Sequence, residues 1–301
     1  MKRPARGVTL AELLVALALG LLVTLLAGSL VLAANKGFVA QAEGVQLDDA
    51  GRFAVNIVSR AVHQAGFANW DAASAHAPDL PAQLAGLDAR SLRHSAAGID
   101  DPQPDVANGS DVLALRFAGD GIGTNCAGFA SDPGVDGWSI FYVARAADGE
   151  TELRCKYRGE HGWGSDALVR GVDTFQVRYG LDTDTPADGV ANEFVTAAHI
   201  NALDEALVLV GADAAARARD LRRKTHWKRI VSVEVALLLH GGPRSRPDGG
   251  LMRFDLFGQA YADAQPGDQG ARVDERALAP TLQNRARQLF GASAVLRNRP
   301  L

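Results

Sequence analysis

Between Val8 and Ala34 the chain carries one charged side chain, Glu12, and no proline. As a helix rising about 1.5 Å per residue, this stretch spans roughly 40 Å, more than the ~30 Å hydrocarbon core of a bilayer. A carboxylate inside such a segment costs about 2.5–3.5 kcal/mol on insertion scales, so Glu12 needs a compensating partner. Ahead of it lies a short leader holding Lys2, Arg3 and Arg6 and ending at Gly7. Positive charge on the short flank keeps that flank cytoplasmic and puts the rest of the chain on the far side. Two plainer readings compete. A secretory signal peptide could use Val31-Leu32-Ala33 as its small-residue cleavage site, but the apolar run is about twice the usual length and holds Glu12 near its start. A plain single-pass anchor also fits the length. Ala16, Gly20, Thr24 and Gly28 recur every fourth residue and lay a small-residue stripe along one face. Such a stripe either lets helices approach closely or reflects the ordinary abundance of Ala and Gly in membrane helices.

The sequence Arg6-Gly7-Val8-Thr9-Leu10-Ala11-Glu12 resembles the class III leader of type IV prepilins and pseudopilins. The resemblance implies that an inner-membrane peptidase cuts after Gly7 and methylates the new N-terminus at Val8, where the family usually has Phe or Met. It also implies that Glu12, the fifth mature residue, neutralises the N-terminal amine of a neighbouring subunit. The physics agrees. An amine at Val8 stands four residues before Glu12 on the same helical face, and a carboxylate near a helix N-terminus is favoured by the macrodipole. In hydrocarbon, a pair is strongly preferred to two separate charges.

The 301 residues have a formal charge of −4, and loss of Lys2, Arg3 and Arg6 takes it to −7. No basic block points to nucleic acid; Arg222-Arg223-Lys224, with Lys228 and Arg229, reads as a solvated helix end. Cys126 and Cys155 follow the membrane segment, so topology puts them in an oxidising compartment where a disulfide is expected. Free buried thiols and metal ligands are the alternatives, although no C-x-x-C or paired-His spacing supports a metal.

Four regions are expected: a leader over 1–7, a membrane or filament-core helix over 8–34, its amphipathic continuation over 35–66, and a periplasmic head over 67–301. No proline interrupts Val8 to Phe67, and Leu47, Ala50, Ala54, Ile57, Val58, Ala61 and Ala65 keep helical spacing. Asp71 to Asp105 reads as a long loop with room for one short helix. Strands are expected over 111–117, 138–143, 152–157, 175–179 and 229–239, with Asp148-Gly149 as a hairpin turn. Residues 251–261 form a further strand candidate. Ala197 to Arg223 has helix propensity broken at Gly211, and 287–299 reads as helix or terminal strand. The fold class that follows is α+β and pilin-like: a long N-terminal helix packed on a mostly antiparallel sheet.

Later stretches resemble the PilW family of type IV pilus minor pilins: Phe53 to Phe67, Gly109 to Phe117, Val177 to Asp184, Trp227 to Leu239 and Leu296 to Arg299. This implies a low-copy subunit that joins other minor pilins in initiating a pilus that serves motility, adhesion or DNA uptake. The implied partners are those minor pilins, the major pilin, a tip adhesin, the prepilin peptidase and the assembly platform. The implied location is the inner membrane first and the pilus afterwards. The alternatives are a type II secretion pseudopilin, or a membrane-anchored periplasmic enzyme or binding protein.

Asp182, Asp184 and Asp188 lie in an oxygen-rich run that faintly suggests calcium, but Pro186 and a displaced Gly189 spoil the usual loop, and an Asx-rich turn fits better. No catalytic motif and no cofactor signature appears, and His63, His76, His94, His161, His199, His226 and His240 lack ligand spacing.

Overall fold

The computed structural model describes residues 7, 9–68, 79–104, 106–243, 245–246 and 250–298, without the side chains of 36, 39 and 40. Val8, leader residues 1–6 and part of the expected 71–105 loop lie outside the described residues. The chain divides into two units, Met1–Gln46 and Leu47–Leu301.

Helix α1 (Leu10–Gln64) runs 55 residues. Within the first unit its described large apolar side chains, among them Leu14, Leu17, Leu21 and Leu25, are exposed, as expected of a segment whose solvent is lipid. Within the second unit the same helix has one apolar stripe. Leu47, Ala54, Ile57, Val58, Ala61, Val62 and Ala65 are buried, while Asp48 and Arg52 pair on the outer face at 2.7 Å. The helix stops at Gly66, whose φ of +73° and contact with the Asn298 carbonyl leave no room for a side chain.

The strands are, in order, β1 (Leu84–Leu87), β2 (Ser91–Leu92), β3 (Pro102–Gln103), β4 (Val112–Ala118), β5 (Asp136–Arg145), β6 (Thr151–Gly159) and β7 (Gly162–Arg170). They continue as β8 (Val172–Leu181), β9 (Glu193–Val195), β10 (Ile230–His240), β11 (Arg253–Asp255), β12 (Arg272–Asp274) and β13 (Arg287–Val295). One sheet has the order β1-β4-β5-β6-β7 and the other β13-β10-β8-β9; β2-β3 and β11-β12 form small ribbons. Every pairing is antiparallel. A single core joins the buried stripe of α1 to Leu113, Leu115, Phe141 and Leu153 of the first sheet and Phe175, Val177, Val233 and Val235 of the second. β10 is covered on its other face as well, where Ala236 and Leu238 pack on Leu256, Val273 and Leu278. That double burial explains why its sequence turns from alternating to wholly apolar.

Some elements differ from the sequence reading, and others settle what it left open. β7 (Gly-Trp-Gly-Ser-Asp-Ala-Leu-Val-Arg) has weak strand propensity and forms because β6 pairs along it. Residues 251–261 hold only the short β11 before a turn at Gly258 and helix α4 (Gln259–Ala264). The 197–223 region is two helices, α2 (Ala197–Glu205) and α3 (Ala214–Lys224). Thr196 and Asp213 cap them by accepting from His199 N and Ala216 N. Residues 79–104 contribute β1, β2 and β3. The C-terminal segment is a strand, paired to β10 along its whole length.

Candidate functional site

Helix α1 begins in a reciprocal cap. Thr9 N donates to Glu12 Oε2 at 2.8 Å, Thr9 Oγ1 donates to the same oxygen at 3.0 Å, and Glu12 N donates back to Thr9 Oγ1 at 3.3 Å. This is a capping box, in which the threonine and the acid three residues later satisfy each other's backbone donors. Sequence reasoning assigned Glu12 to a neighbour's amine and missed this local role, although Thr-x-x-Glu was there to be read. Glu12 Oε1 takes no hydrogen bond among the described residues. Gly7 lies just before the cap and is exposed; Val8 is not described.

Leu10–Asn35 is long and apolar enough to cross a membrane. Its two mid-segment hydroxyls are satisfied within the helix: Thr24 Oγ1 donates to Gly20 O and Leu21 O at 3.1 and 2.8 Å, and Ser29 Oγ to Leu26 O at 2.8 Å. A β-carbon at Gly20 or Gly28 would meet nothing within 4 Å, so the small-residue stripe is open.

In the head, Cys126, in the β4–β5 loop, is joined by a disulfide to Cys155 on β6, with the α-carbons 5.9 Å apart. The bond closes 29 residues of chain, a restraint on the unfolded state of about 3.5 kcal/mol in the chain-entropy account. A cleft of about 510 Å³ lies between α1 and this loop, lined by Phe53, Ile57, Arg60, Gln64, Asn125 and Asp166 among others. Among its lining residues there is no histidine and no free thiol.

The fold brings Asp182, Asp184 and Asp188 together, with one oxygen of each within 4.8 Å of the others. Their lone pairs serve the backbone and Asn192. Buried Asp182 accepts from Asp184 N at 3.1 Å and Gly189 N at 2.7 Å, Asp188 accepts from Val190 N at 2.8 Å, and Asp184 accepts from Asn192 Nδ2 at 3.0 Å. These are the bonds of an Asx-rich turn.

A polar cluster under β10 escaped sequence reasoning. His240 Nδ1 meets Asp173 Oδ1 at 3.0 Å, its Nε2 meets Glu150, and Arg287 Nε donates to Asp173 Oδ2 at 2.6 Å. Arg287 also bonds Glu275, which bonds Arg246. The side chains of Arg287 and Glu275 are fully buried. Their sequence separations give no local signal. Asp111 is likewise buried, accepting from Ala89 N at 3.0 Å and Val177 N at 2.9 Å; burial, and then the charge of Asp88, push its carboxyl well above the usual range. These groups tie separate strands and loops together.

Residues 140–298 match the family described as "Type IV Pilus-assembly protein W", and residues 2–28 match the prokaryotic N-terminal methylation motif. Among solved structures, a type IV-like pilin from Thermus thermophilus aligns at 12% identity and a TM-score of 0.43, covering 85% of this chain and 100% of that one. None of the curated proteins compared with the chain matches it.

Proposed function

Because the chain belongs to the type IV pilus-assembly protein W family, we propose that it is a minor pilin, a low-copy subunit that helps start assembly of a type IV pilus. One observation carries this reading: a methylation-motif segment over residues 2–28 and a PilW-family head over 140–298 share one chain. The protein is a non-catalytic, pilin-type subunit with an N-terminal helix able to cross a membrane.

On this reading residues 1–7 are a cytoplasmic leader, the inner-membrane prepilin peptidase cuts between Gly7 and Val8, and Val8 is methylated. The head waits in the periplasm, an oxidising compartment that suits the Cys126–Cys155 bond. The subunit then joins other minor pilins, the major pilin and an adhesin at the pilus tip. Cleavage leaves Thr9 and Glu12 in place, so the capping box survives maturation. Oε2 of Glu12 holds Thr9, and Oε1 is left for the ammonium of a neighbour's Val8. Placed in hydrocarbon, that pair is favoured over two separate charges.

Mass spectrometry of the protein from membranes and sheared pili tests the proposal. The expected N-terminus is Val8, and deletion of the gene is expected to abolish or sharply reduce piliation. Retention of Met1 on the surface-exposed protein would sink it.

A further inference from the structure

Strand β13 leaves one edge of its sheet without a partner. The bonds from Leu296 N to Val231 O at 2.9 Å and from Gly241 N to Ala286 O at 2.8 Å bracket its ladder with β10, and the register between them has no shift. Hydrogen-bonded residues alternate in an antiparallel pair, so the even-numbered residues of β13 bond β10 and the odd-numbered ones turn their peptide groups away. The amides of Leu289, Gly291, Ser293 and Val295 and the carbonyls of Leu289, Gly291 and Ser293 therefore point off the sheet. They meet no partner among the described residues. One group in that row is taken: His63 Nδ1 donates to Val295 O at 3.0 Å. Leu289 and Val295 are 41% and 56% exposed, and Gly291 and Ser293 are exposed as well.

The other sheet edges are closed by identifiable devices. β1 and β9 span four and three residues. β7 carries a register shift and the charged Asp166 and Arg170. Where β8 runs past β9, side chains take the place of a strand. Asp111 accepts from Val177 N at 2.9 Å, Ser110 Oγ accepts from Phe175 N at 3.3 Å, and Asn108 Nδ2 donates to Asp173 O at 2.8 Å. Short strands, bulges and charge are the usual protections against unwanted pairing. β13 has none of them: it is nine residues long, regular in register, and without charge from Gln288 to Leu296.

We propose that β13 is a strand-addition site and that its occupant is an extended segment of a partner protein. The segment lies antiparallel, the stabler arrangement per residue, and takes main-chain bonds from Leu289, Gly291, Ser293 and Val295. Its side chains are uncharged, like the row they join, with an aromatic ring beside Gly291, where the missing side chain leaves room. An acid just ahead of the segment meets Arg297, which is exposed and in no ion pair among the described residues. A second copy of this chain does not fit the edge. Asp48 meets Gln288, Gly51 meets Phe290 and His63 meets Val295, so α1 and β13 run in the same direction. Antiparallel pairing of two β13 strands would reverse one α1 against the other, although both helices continue from a segment able to cross the same membrane. Strand addition goes beyond the subunit reading and does not depend on it.

The test uses full-length protein in detergent micelles and the synthetic peptide acetyl-Asp-Thr-Val-Thr-Thr-Thr-Phe-Thr-Val-Thr-amide, with amide hydrogen exchange read at single residues. At a peptide concentration about ten times its Kd, exchange at Leu289, Gly291, Ser293 and Val295 should slow about tenfold. Exchange at Phe290, Ala292 and Ala294, already held by β10, should not change. A peptide N-methylated on its fifth and seventh residues, whose amides face β13, should give no protection. Methylation of its sixth and eighth residues, whose amides face away, should leave protection intact. Ser293→Pro removes an outward N–H that β10 does not use, and should abolish protection while Phe290 and Ala294 stay slow. Absence of protection at the peptide's solubility limit, or protection indifferent to which residues are methylated, overturns the proposal. So do odd-numbered amides that are slow in the protein alone. Slow at every concentration, they show a closed edge; slow only as concentration rises, they make a second copy the occupant.

Discussion

The ring of Phe290 on β13 lies directly over Gly51 of α1, where a β-carbon would come within 2.2 Å of it. Glycine inside a helix costs roughly 1 kcal/mol relative to alanine, so Gly51 is retained against local preference. The bare backbone lets the last strand's aromatic side chain close on the helix. Gly51→Ala alone is expected to give no stability gain, because the ring must swing away. In a Phe290→Ala background the same change should stabilise by about 1 kcal/mol, the helix-propensity value. Denaturant unfolding of the four proteins in the cycle measures the coupling.

Glu12 has a local bond and a proposed distant one, and two substitutions separate them. Glutamine at the third helical position completes a capping box as glutamate does, whereas alanine cannot. Glu12→Gln therefore keeps the helix start and loses the charge. If charge pairing drives incorporation, both Glu12→Gln and Glu12→Ala should be processed at Val8 and both should fail to enter pili. Normal incorporation of the glutamine variant would reduce Glu12 to a cap. Immunoblots of sheared pili, with the membrane fraction as control, decide it.

Arg287 sits between two buried carboxylates, Asp173 and Glu275. Replacing it by methionine removes the guanidinium they share and leaves Asp173 to His240 and Glu275 to Arg246; removing one partner from a buried ionic cluster typically costs about 3–5 kcal/mol. Arg52→Ala, which breaks an exposed pair with Asp48, should cost less than about 1 kcal/mol. The two unfolding midpoints should differ accordingly.

Asp111 yields a pH dependence of unusual sign. Burial raises its carboxyl in the folded state, so between its unfolded and folded pKa values the native protein binds more protons than the unfolded chain. This group's contribution is fully present below the unfolded carboxylate value and is lost as pH rises through the folded one. Asp111→Asn should flatten that part of the stability curve, measured by unfolding from about pH 4 upward.

What was legible in the chain alone follows from local physics. The apolar run and its lone acid name a lipid-exposed helix, since hydrocarbon admits so few backbone solutions. Strands such as β4, β6, β8 and β10 announce themselves through β-branched and aromatic side chains. Asp182, Asp184 and Asp188 read as a turn because Asx side chains bond their own backbone within a few residues. By contrast β7, with its glycines, serine and aspartate, is a strand only because β6 lies beside it. Residues 287–295 read equally as helix or strand until β10 supplied nine partners. The same distance in sequence hid His240, Asp173, Glu150 and Arg287, whose side chains meet only once four separate segments are folded together. Helix start, membrane segment and turn chemistry are determined over a few residues; edge strands, buried ion clusters and the seat of Phe290 on Gly51 depend on contacts that only the closed fold can make.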